Sequence, residues 1–526
     1  MDLKTKIMKL RAASGLSQEK FAEAMQVSRQ AVQKWEAGTA QPDLDHVVKM
    51  AQYFNVTLDG LLCDHSLRVL EEAEKEPKPI YTSMHHWQKY SSDLMVEYRQ
   101  CLEEGLDVTP YEALFQAADK MPDDENRKAV ADILFHITRT APELSDYPYE
   151  EPSDIEGILQ CRSGGNETLT PPDEAELTHK ITGAWYGRMA GCMLGKTVEG
   201  MRREELIPFL KETDNYPMRR YIKSTDVTDE IAAKYQFPLR RRCYADTIPY
   251  APTDDDTNYT VLYQRVIDVY SKNFTPEDVS HAWLAWQPKD AYCTAERVAY
   301  CNFVKGYLPP DSAAYKNHYR EWIGAQIRGD YFGYINPGNP ARAAEMAWRD
   351  ACVSHTKNGI YGEMFVAAML AAAACKKDKV DVIRAGLAQI PQKSRLYTEI
   401  LEMLTDYKNG VDEKKALRKI TQKYDDMNGH DWCHTISNAR IVVAALLYAE
   451  TFDRAICLAV ENGFDTDCNG ATVGSIWGMM YGEDCIRDEW KQPFNGKLDT
   501  SIFGVGTVEV QTLIDTTLRH IRQPEV

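Results

Sequence analysis

Two stretches of the second half, YGEMFVAAMLAAAACKK (361–377) and NARIVVAALLYAETFDRAICLAVENG (438–463), constrain the fold most. Apolar or small residues recur in both at every third or fourth position, and the same spacing runs through ARAAEMAWRDACVSH (341–355). That period belongs to helices, and an Ala-rich helix without a wide polar face has neighbours on several sides. Strand signals are sparse from Glu176 onward, so residues 176–526 are expected to form one large all-α bundle. A chain of 526 residues exceeds what one core holds, which predicts two or three domains.

The opening segment is organised differently. LSQEKFAEAMQVSRQAVQKWEAG (16–38) reads as two short amphipathic helices on either side of a tight break. Ser17 and Ser28 stand where a hydroxyl can accept from the orphan amides of a first helical turn. Phe21, Ala22, Met25, Val27, Val32 and Trp35 then make one apolar cluster, with the small Ala22 permitting a close crossing. With Ile7 and Leu10 before it and PDLDHVVKMAQYFNVTLDGLL after it, residues 1–63 resemble the Cro/repressor-like helix-turn-helix family. The resemblance implies DNA as partner, with the second helix in the major groove. Arg29, Gln30 and Lys34 then reach base edges, Gln18 lies near a phosphate, and the N-cap Ser28 belongs to the same surface. It also implies a homodimer on a two-fold site. Gln26, where this turn often carries Gly, is expected to adopt positive φ. Charge is nearly balanced here, so a module for protein contacts, with Arg29 and Lys34 merely solvated, is the alternative.

A net charge of -18 is incompatible with a surface coated for nucleic acid throughout and confines DNA binding to this one module. Thirteen cysteines without a C-x-x-C pair read as reduced thiols in a cytosol. No run reaches the roughly eighteen apolar residues of a membrane span, so a soluble, cytoplasmic protein with no membrane partner is expected. Residues 64–175 begin with the charged, Pro-containing EEAEKEPKP, continue with three helical periods between Ser91 and Thr140, and read as a helical linker or dimerisation region.

Four polar motifs interrupt the apolar pattern of 176–526. GAWYGRMAGCMLGKTVEG (183–200) is a helix with small residues at Gly187, Ala190 and Gly191 that ends near Gly195 and delivers Glu199 to a loop. PTDDDTNYTVL (252–262) is sharper: three consecutive carboxylates repel one another unless exposed or neutralised by a cation. Tyr259, Val261 and Leu262 behind them suggest that the acids open a buried helix. An acidic first turn favoured by the helix dipole accounts for one or two of them and less well for three. GFDTDCNGATVGS (463–475) repeats the idea, with Asp465 and Asp467 between two buried-looking helices. Oxygen-rich sites of this kind suit hard cations such as Mg²⁺. The fourth motif, GYINPGNPARAAEM followed by SHTKNG, offers the turn amides of Gly338 and Asn339, and His355, for phosphate or ribose; a lone histidine such as His355 is more often a core residue.

Taken together, GCMLGKTVE, DDDT and FDTDC match in order and separation the G-D-A-L-G-x-x-x-E, T-D-D-T and G-D-T-D-T elements of the ADP-ribosylglycohydrolase family, which residues 178–490 resemble. The resemblance implies an all-α bundle holding two magnesium ions and hydrolysis of a bond between ADP-ribose and an acceptor. It places Asp254, Asp255 and Asp256 in one ligand cluster and Asp465, Asp467 and Cys468 in the other. It makes Glu199 the mobile-loop glutamate that orients or protonates a reacting group, with Asp255 or Asp256 as base through bound water. Three positions depart from the pattern: Cys192 for Asp, Asp254 for Thr and Cys468 for Thr. A neutral thiol is a weak ligand for Mg²⁺, which leaves the second metal position in question. Thr253-Asp254-Asp255 is an alternative register for the second element. Two functions follow: a Mg²⁺-dependent hydrolase of an ADP-ribosyl or related ribosyl bond joined to a DNA-binding regulator, or a regulator whose hydrolase-like domain only senses an ADP-ribose-like or nucleoside metabolite.

Overall fold

The computed structural model describes residues 2–56, 61–62 and 80–524; the expected linker EEAEKEPKP and the boundary at residue 63 lie outside them. The chain divides into two compact units, Met1–Tyr81 and Thr82–Val526. Both are helical, and the strand pair among the described residues is two residues long on each side, Lys497–Leu498 with Val508–Glu509.

The first unit contains α1 (Leu3–Ala13), α2 (Gln18–Met25), α3 (Arg29–Ala37) and α4 (Leu44–Phe54). Ser17 caps α2 by accepting from the Lys20 amide, and Ser28 caps α3 by accepting from Ala31, each at 3.2 Å. Between them Gln26 takes the left-handed conformation, φ 61° and ψ 40°, which sets the tight crossing. Ile7, Phe21, Met25, Val32, Trp35, Val47 and Met50 meet as one core, with Val27 at its edge.

In the second unit, α5 (Leu94–Glu103), α6 (Glu112–Asp119) and α7 (Glu125–Thr140) gather a small core of Leu94, Tyr98, Phe115, Leu134 and Phe135. This cluster shares one compact unit with everything after it. The seam between them is made of charged and polar pairs. Arg320 binds Glu97 at 2.6 Å and Glu104 at 2.7 Å, and Gln100 Nε2 donates to Glu321 at 2.7 Å.

The main core is built around α8 (Glu174–Lys196), α9 (Asp255–Tyr270), α10 (Lys357–Ala373), α11 (Thr435–Tyr448), α12 (Phe452–Glu461) and α13 (Thr466–Tyr481). Helices α8 and α13 lie against each other backbone to backbone. A Cβ on Gly183, Gly187, Gly191 or Gly195 would meet the carbonyl oxygen of Gly478, Gly474, Gly470 or Thr466, respectively, within 2.6 Å. The partners run in opposite directions at matching four-residue steps, so the pair is antiparallel and in register over three turns. Each helical Gly costs roughly 0.5–1 kcal/mol relative to Ala, a cost offset by the packing that close approach allows. The register has a functional consequence: it sets the end of α8, with Cys192 and Lys196, against the start of α13, with Asp465, Asp467 and Cys468.

Candidate functional site

Three helix ends meet here. Asp254 is the N-cap of α9, and its Oδ1 accepts from the Asp256 amide at 3.0 Å. Asp465 is the N-cap of α13, and Asp467, in its first turn, accepts from the Cys468 amide at 3.1 Å. Helix N-termini favour anions, so both acidic motifs stand where the backbone helps to hold them charged. The ligand atoms of Cys192, Asp254 and Asp256 lie within 4.8 Å of one another, and so do those of Asp256, Asp467 and Cys468. Asp256 belongs to both groups. The DDDT and FDTDC motifs, two hundred residues apart in the chain, therefore share one site. Asp255 and Asp465 face it together with Glu199, whose charge acts on Asp255, Asp465 and Asp467.

Burial pushes Asp255, Asp256 and Asp467 well above the ordinary carboxylate range, and negative neighbours push further: Asp254 on the first two, Glu199 on the third. Asp465 rises to about 6, by burial and then by Glu199, against a hydrogen bond from Asp467. Asp254 alone moves down: burial raises it, and the Lys196 ammonium more than cancels that. The Cys192 and Cys468 thiols are held protonated by burial, with Asp254 and Asp256 the next largest influences. Fully ionised, the cluster would carry more negative charge than Lys196 and Arg188 compensate. Asp256 shows it most directly: its Oδ2 is buried with no hydrogen-bond partner among the described residues. An orphaned carboxylate oxygen beside Asp467 fits a hard cation; the Cys468 thiol is the poor member of that set.

Two basic residues that sequence reasoning passed over shape the cluster. Lys196 Nζ lies 2.5 Å from Asp254 Oδ2. Arg188, fully buried, donates from Nε and Nη2 to the Asp256 carbonyl at 2.9 and 2.6 Å and pairs with Asp330 at 2.8 Å. An arginine inside a helix of Gly, Ala and Met was the available signal, since a charge in such surroundings has a buried partner. Arg242 Nη2 holds Glu199 Oε2 at 3.2 Å, and Arg242 also takes the last carbonyls of α8, at Lys196 and Thr197.

The fourth motif does not join this site. The Gly338 amide donates to Ala371 O at 2.8 Å and the Asn339 amide to Asn336 O at 3.0 Å, while Asn339 Oδ1 caps the following helix through the Arg342 amide. These amides are spent on the chain itself. A Cβ on Gly338 would lie 3.2 Å from Cys375 Sγ, and Cys375 feels the charge of Lys180. Lys180 is sixteen residues before Lys196 on α8, roughly 24 Å along the helix. His355 is buried, its Nδ1 bonded to Ser354 Oγ at 2.8 Å, and burial, with Arg328 adding, holds its ring neutral. It is the core histidine of the blander alternative.

A third group of metal-ligand types, Glu103, His430 and His434, lies at the α5 seam. His430 Nδ1 accepts from Trp322 Nε1 at 3.2 Å and His434 Nδ1 from the Ile436 amide at 3.1 Å. His430 therefore presents its Nε2–H to Glu103 at 3.1 Å, and His434 Nε2 lies 3.6 Å from the same oxygen. The group is a hydrogen-bonded seam between α5 and the main core.

In the first unit, α3 buries Val32 and Trp35 and exposes Arg29, Gln30 and Lys34 on the opposite side. Arg29 pairs with Glu19 at 2.9 Å, both well exposed. Gln18 is engaged otherwise than expected for a phosphate contact: its Nε2 donates to Glu36 Oε2 at 2.7 Å, and Glu36 is itself held by Arg11.

Comparison with known proteins follows the same division. A family model for ADP-ribosylglycohydrolase matches residues 173–519, and one for helix-turn-helix matches residues 7–61. The chain is 37% identical over 83 residues to the HTH-type transcriptional activator BcrR of Enterococcus faecalis, a match covering 15% of this chain and 41% of that protein. It is 32% identical over 76 residues to the SPbeta prophage-derived uncharacterized HTH-type transcriptional regulator YonR of Bacillus subtilis (strain 168), covering 14% of this chain and 70% of that one. A solved structure titled ADP-ribosylglycohydrolase-related protein complex aligns with 66% of this chain and 99% of its own, at 16% identity and a TM-score of 0.43, a likeness too distant to add to the family match. Among the described residues no helix is long and apolar enough to cross a membrane. With its three acidic elements gathered at one site and the family model spanning more than half its length, the chain belongs to the ADP-ribosylglycohydrolase family and carries a helix-turn-helix module at residues 7–61.

Proposed function

We propose that the helical domain hydrolyses an ADP-ribosyl or related ribosyl glycosidic bond with Mg²⁺ at the Asp254–Asp256 and Asp465–Asp467 cluster, and that residues 1–63 carry it to DNA. The observation that supports the first part best is Asp256 Oδ2, a buried carboxylate oxygen with no donor among the described residues, beside Asp467 and Cys468. When bound there, a hard cation supplies Lewis acidity and lowers the pKa of a water. The chain's own residues supply the rest. Glu199, 38% exposed and tethered by Arg242, stands at the rim, where it can orient a ribose hydroxyl or give a proton to the departing group. Asp255, half-buried and raised above the ordinary carboxylate range by burial and by Asp254, suits acid or base duty. The surrounding carboxylates favour the positive charge that grows at the anomeric carbon.

The DNA part rests on the exposed face of α3, where Arg29, Gln30 and Lys34 stand free of the core. A homodimer on a two-fold operator and a cytoplasmic location complete this reading. The sensor reading has its own support in Cys192 and Cys468, two neutral thiols among the ligand positions. One experiment separates the two: the full chain with Mg²⁺ and a panel of ADP-ribosylated proteins, ADP-ribose derivatives and nucleosides, with Asp255→Ala and Asp465→Ala as controls. Turnover lost in both variants supports the hydrolase. No turnover of any member, with DNA affinity that changes on ligand binding, leaves the sensor.

A further inference from the structure

The two overlapping ligand groups differ in what is left to give a cation. In the first, Asp254 is spent twice: Oδ2 on Lys196 Nζ at 2.5 Å, Oδ1 on the Asp256 amide at 3.0 Å. Its remaining independent member, Cys192, is a buried thiol, a weak ligand for a hard cation. In the second group Asp256 Oδ2 has no donor among the described residues, Arg188 approaches only the other oxygen, at 3.4 Å, and Asp467 uses one oxygen on the Cys468 amide at 3.1 Å.

Lys196 is fixed in place. It closes the last turn of α8, where the helix carbonyls favour a positive charge, and Arg242 holds the Lys196 carbonyl. Its partner Asp254 is only 2% exposed. Cys192 and Lys196 are four residues apart, on one face of α8. The same helical turn therefore lacks a carboxylate at one position and supplies a cation at the next.

We propose that the Lys196 ammonium occupies one cation position of this cluster, so that the chain binds a single divalent ion, at Asp256, Asp467 and Cys468. This rests on the hydrolase-like metal site argued above and deepens it. A second divalent ion on Asp254 would have to displace the ammonium or sit against its charge, with a thiol in place of a hard oxygen ligand. The single ion is consistent with the burial of Asp256 and with both oxygens of Asp254 being engaged already.

The test counts ions on the chelator-treated full chain, using Mn²⁺ with equilibrium dialysis and electron paramagnetic resonance. The wild type should saturate at one Mn²⁺ per chain, with the spectrum of an isolated ion. Lys196→Met combined with Cys192→Asp should bind two, with the spin coupling of ions about 4 Å apart. Lys196→Arg should stay at one, which guards against reading a misfolded variant as a result. Two ions in the wild type, or a folded double variant that still binds one, overturns the assignment of Lys196 and leaves the metal site standing. A wild type that binds none, with Asp467→Asn indistinguishable from it, overturns the metal-site reading itself.

Discussion

A Cβ on Gly191 would stand 1.9 Å from the carbonyl oxygen of Gly470, and the obstacle is backbone on both sides. No side chain can swing away to make room. Ordinary overpacking costs roughly 1–3 kcal/mol; Gly191→Ala should cost more than about 3, because two whole helices must part. The same separation would pull Cys192 and Lys196 away from Asp467. The variant should therefore lose both thermal stability and Mn²⁺ binding, whereas Gly165→Ala, with nothing within 4 Å of its new Cβ, should change neither. Calorimetry and dialysis on the two variants check this.

Arg188 connects the site to the core. It donates twice to the Asp256 carbonyl, which the Thr260 hydroxyl also reaches at 3.2 Å from within the same helix, and it pairs with Asp330 at 2.8 Å. Removing one partner of a buried pair typically costs about 3–5 kcal/mol, much of it the stranded charge. Arg188→Met should therefore destabilise the fold on that scale. Adding Asp330→Asn should recover part of the loss, by taking away the stranded carboxylate, without restoring metal affinity. Recovery of both together would mean that Arg188 does not position Asp256.

How much of this was legible in the sequence depends on the range of the interaction. Helix starts are local, so Ser17, Ser28 and the turn residue Gln26 could be read from a few neighbours. Three adjacent aspartates advertise their own repulsion, and the apolar residues after them placed the acids at the mouth of a buried helix. The glycines at 183, 187, 191 and 195 showed a close contact but not its partner, because nothing local selects α13 over another small-residue helix. Lys196 was invisible as a ligand of Asp254 for the same reason, as was the seam of Glu97 and Glu104 on Arg320, which binds α5 to the main core through charge. Gly338 and Asn339 misled in the opposite sense: turn amides look available until the carbonyls of Ala371 and Asn336 are brought to them.

The raised carboxylates make the metal-free protein sensitive to alkali. Asp465 titrates near 6 when folded against an ordinary 3.8, so between those values the folded chain holds a proton that the unfolded chain releases. Stability then falls as pH rises, and the full penalty is present above the folded pKa. Asp255, Asp256 and Asp467, raised as well, act in the same direction. A divalent ion replaces those protons and favours the folded state by mass action. Without metal the Tm should be lower at about pH 8 than at about pH 5.5, and saturating Mg²⁺ should raise it more at the higher pH. Asp465→Asn should weaken the pH dependence. A Mg²⁺ shift that is equal at both pH values would mean that the ion is not held by these carboxylates.

On the α3 face the three exposed side chains should separate into distinct roles. Lys34, a point charge, should weaken binding to all sequences alike when changed to Ala and reduce the salt dependence by about one counterion. Gln30→Ala should relax discrimination at one base pair by about 1–3 kcal/mol. Arg29 begins in an ion pair with Glu19 at 2.9 Å, so contact with DNA requires it to leave that partner. Because both members are exposed, the pair is weak, and Glu19→Gln should strengthen binding modestly, by lifting that competition and removing a negative charge from the face. Arg29→Ala should remove the benefit of Glu19→Gln. Titration of an operator selected with the wild-type chain, at two salt concentrations, measures the four single variants and the Glu19→Gln/Arg29→Ala double variant. If Glu19→Gln and Arg29→Ala act additively, the pair does not regulate the contact and Arg29 binds independently of Glu19.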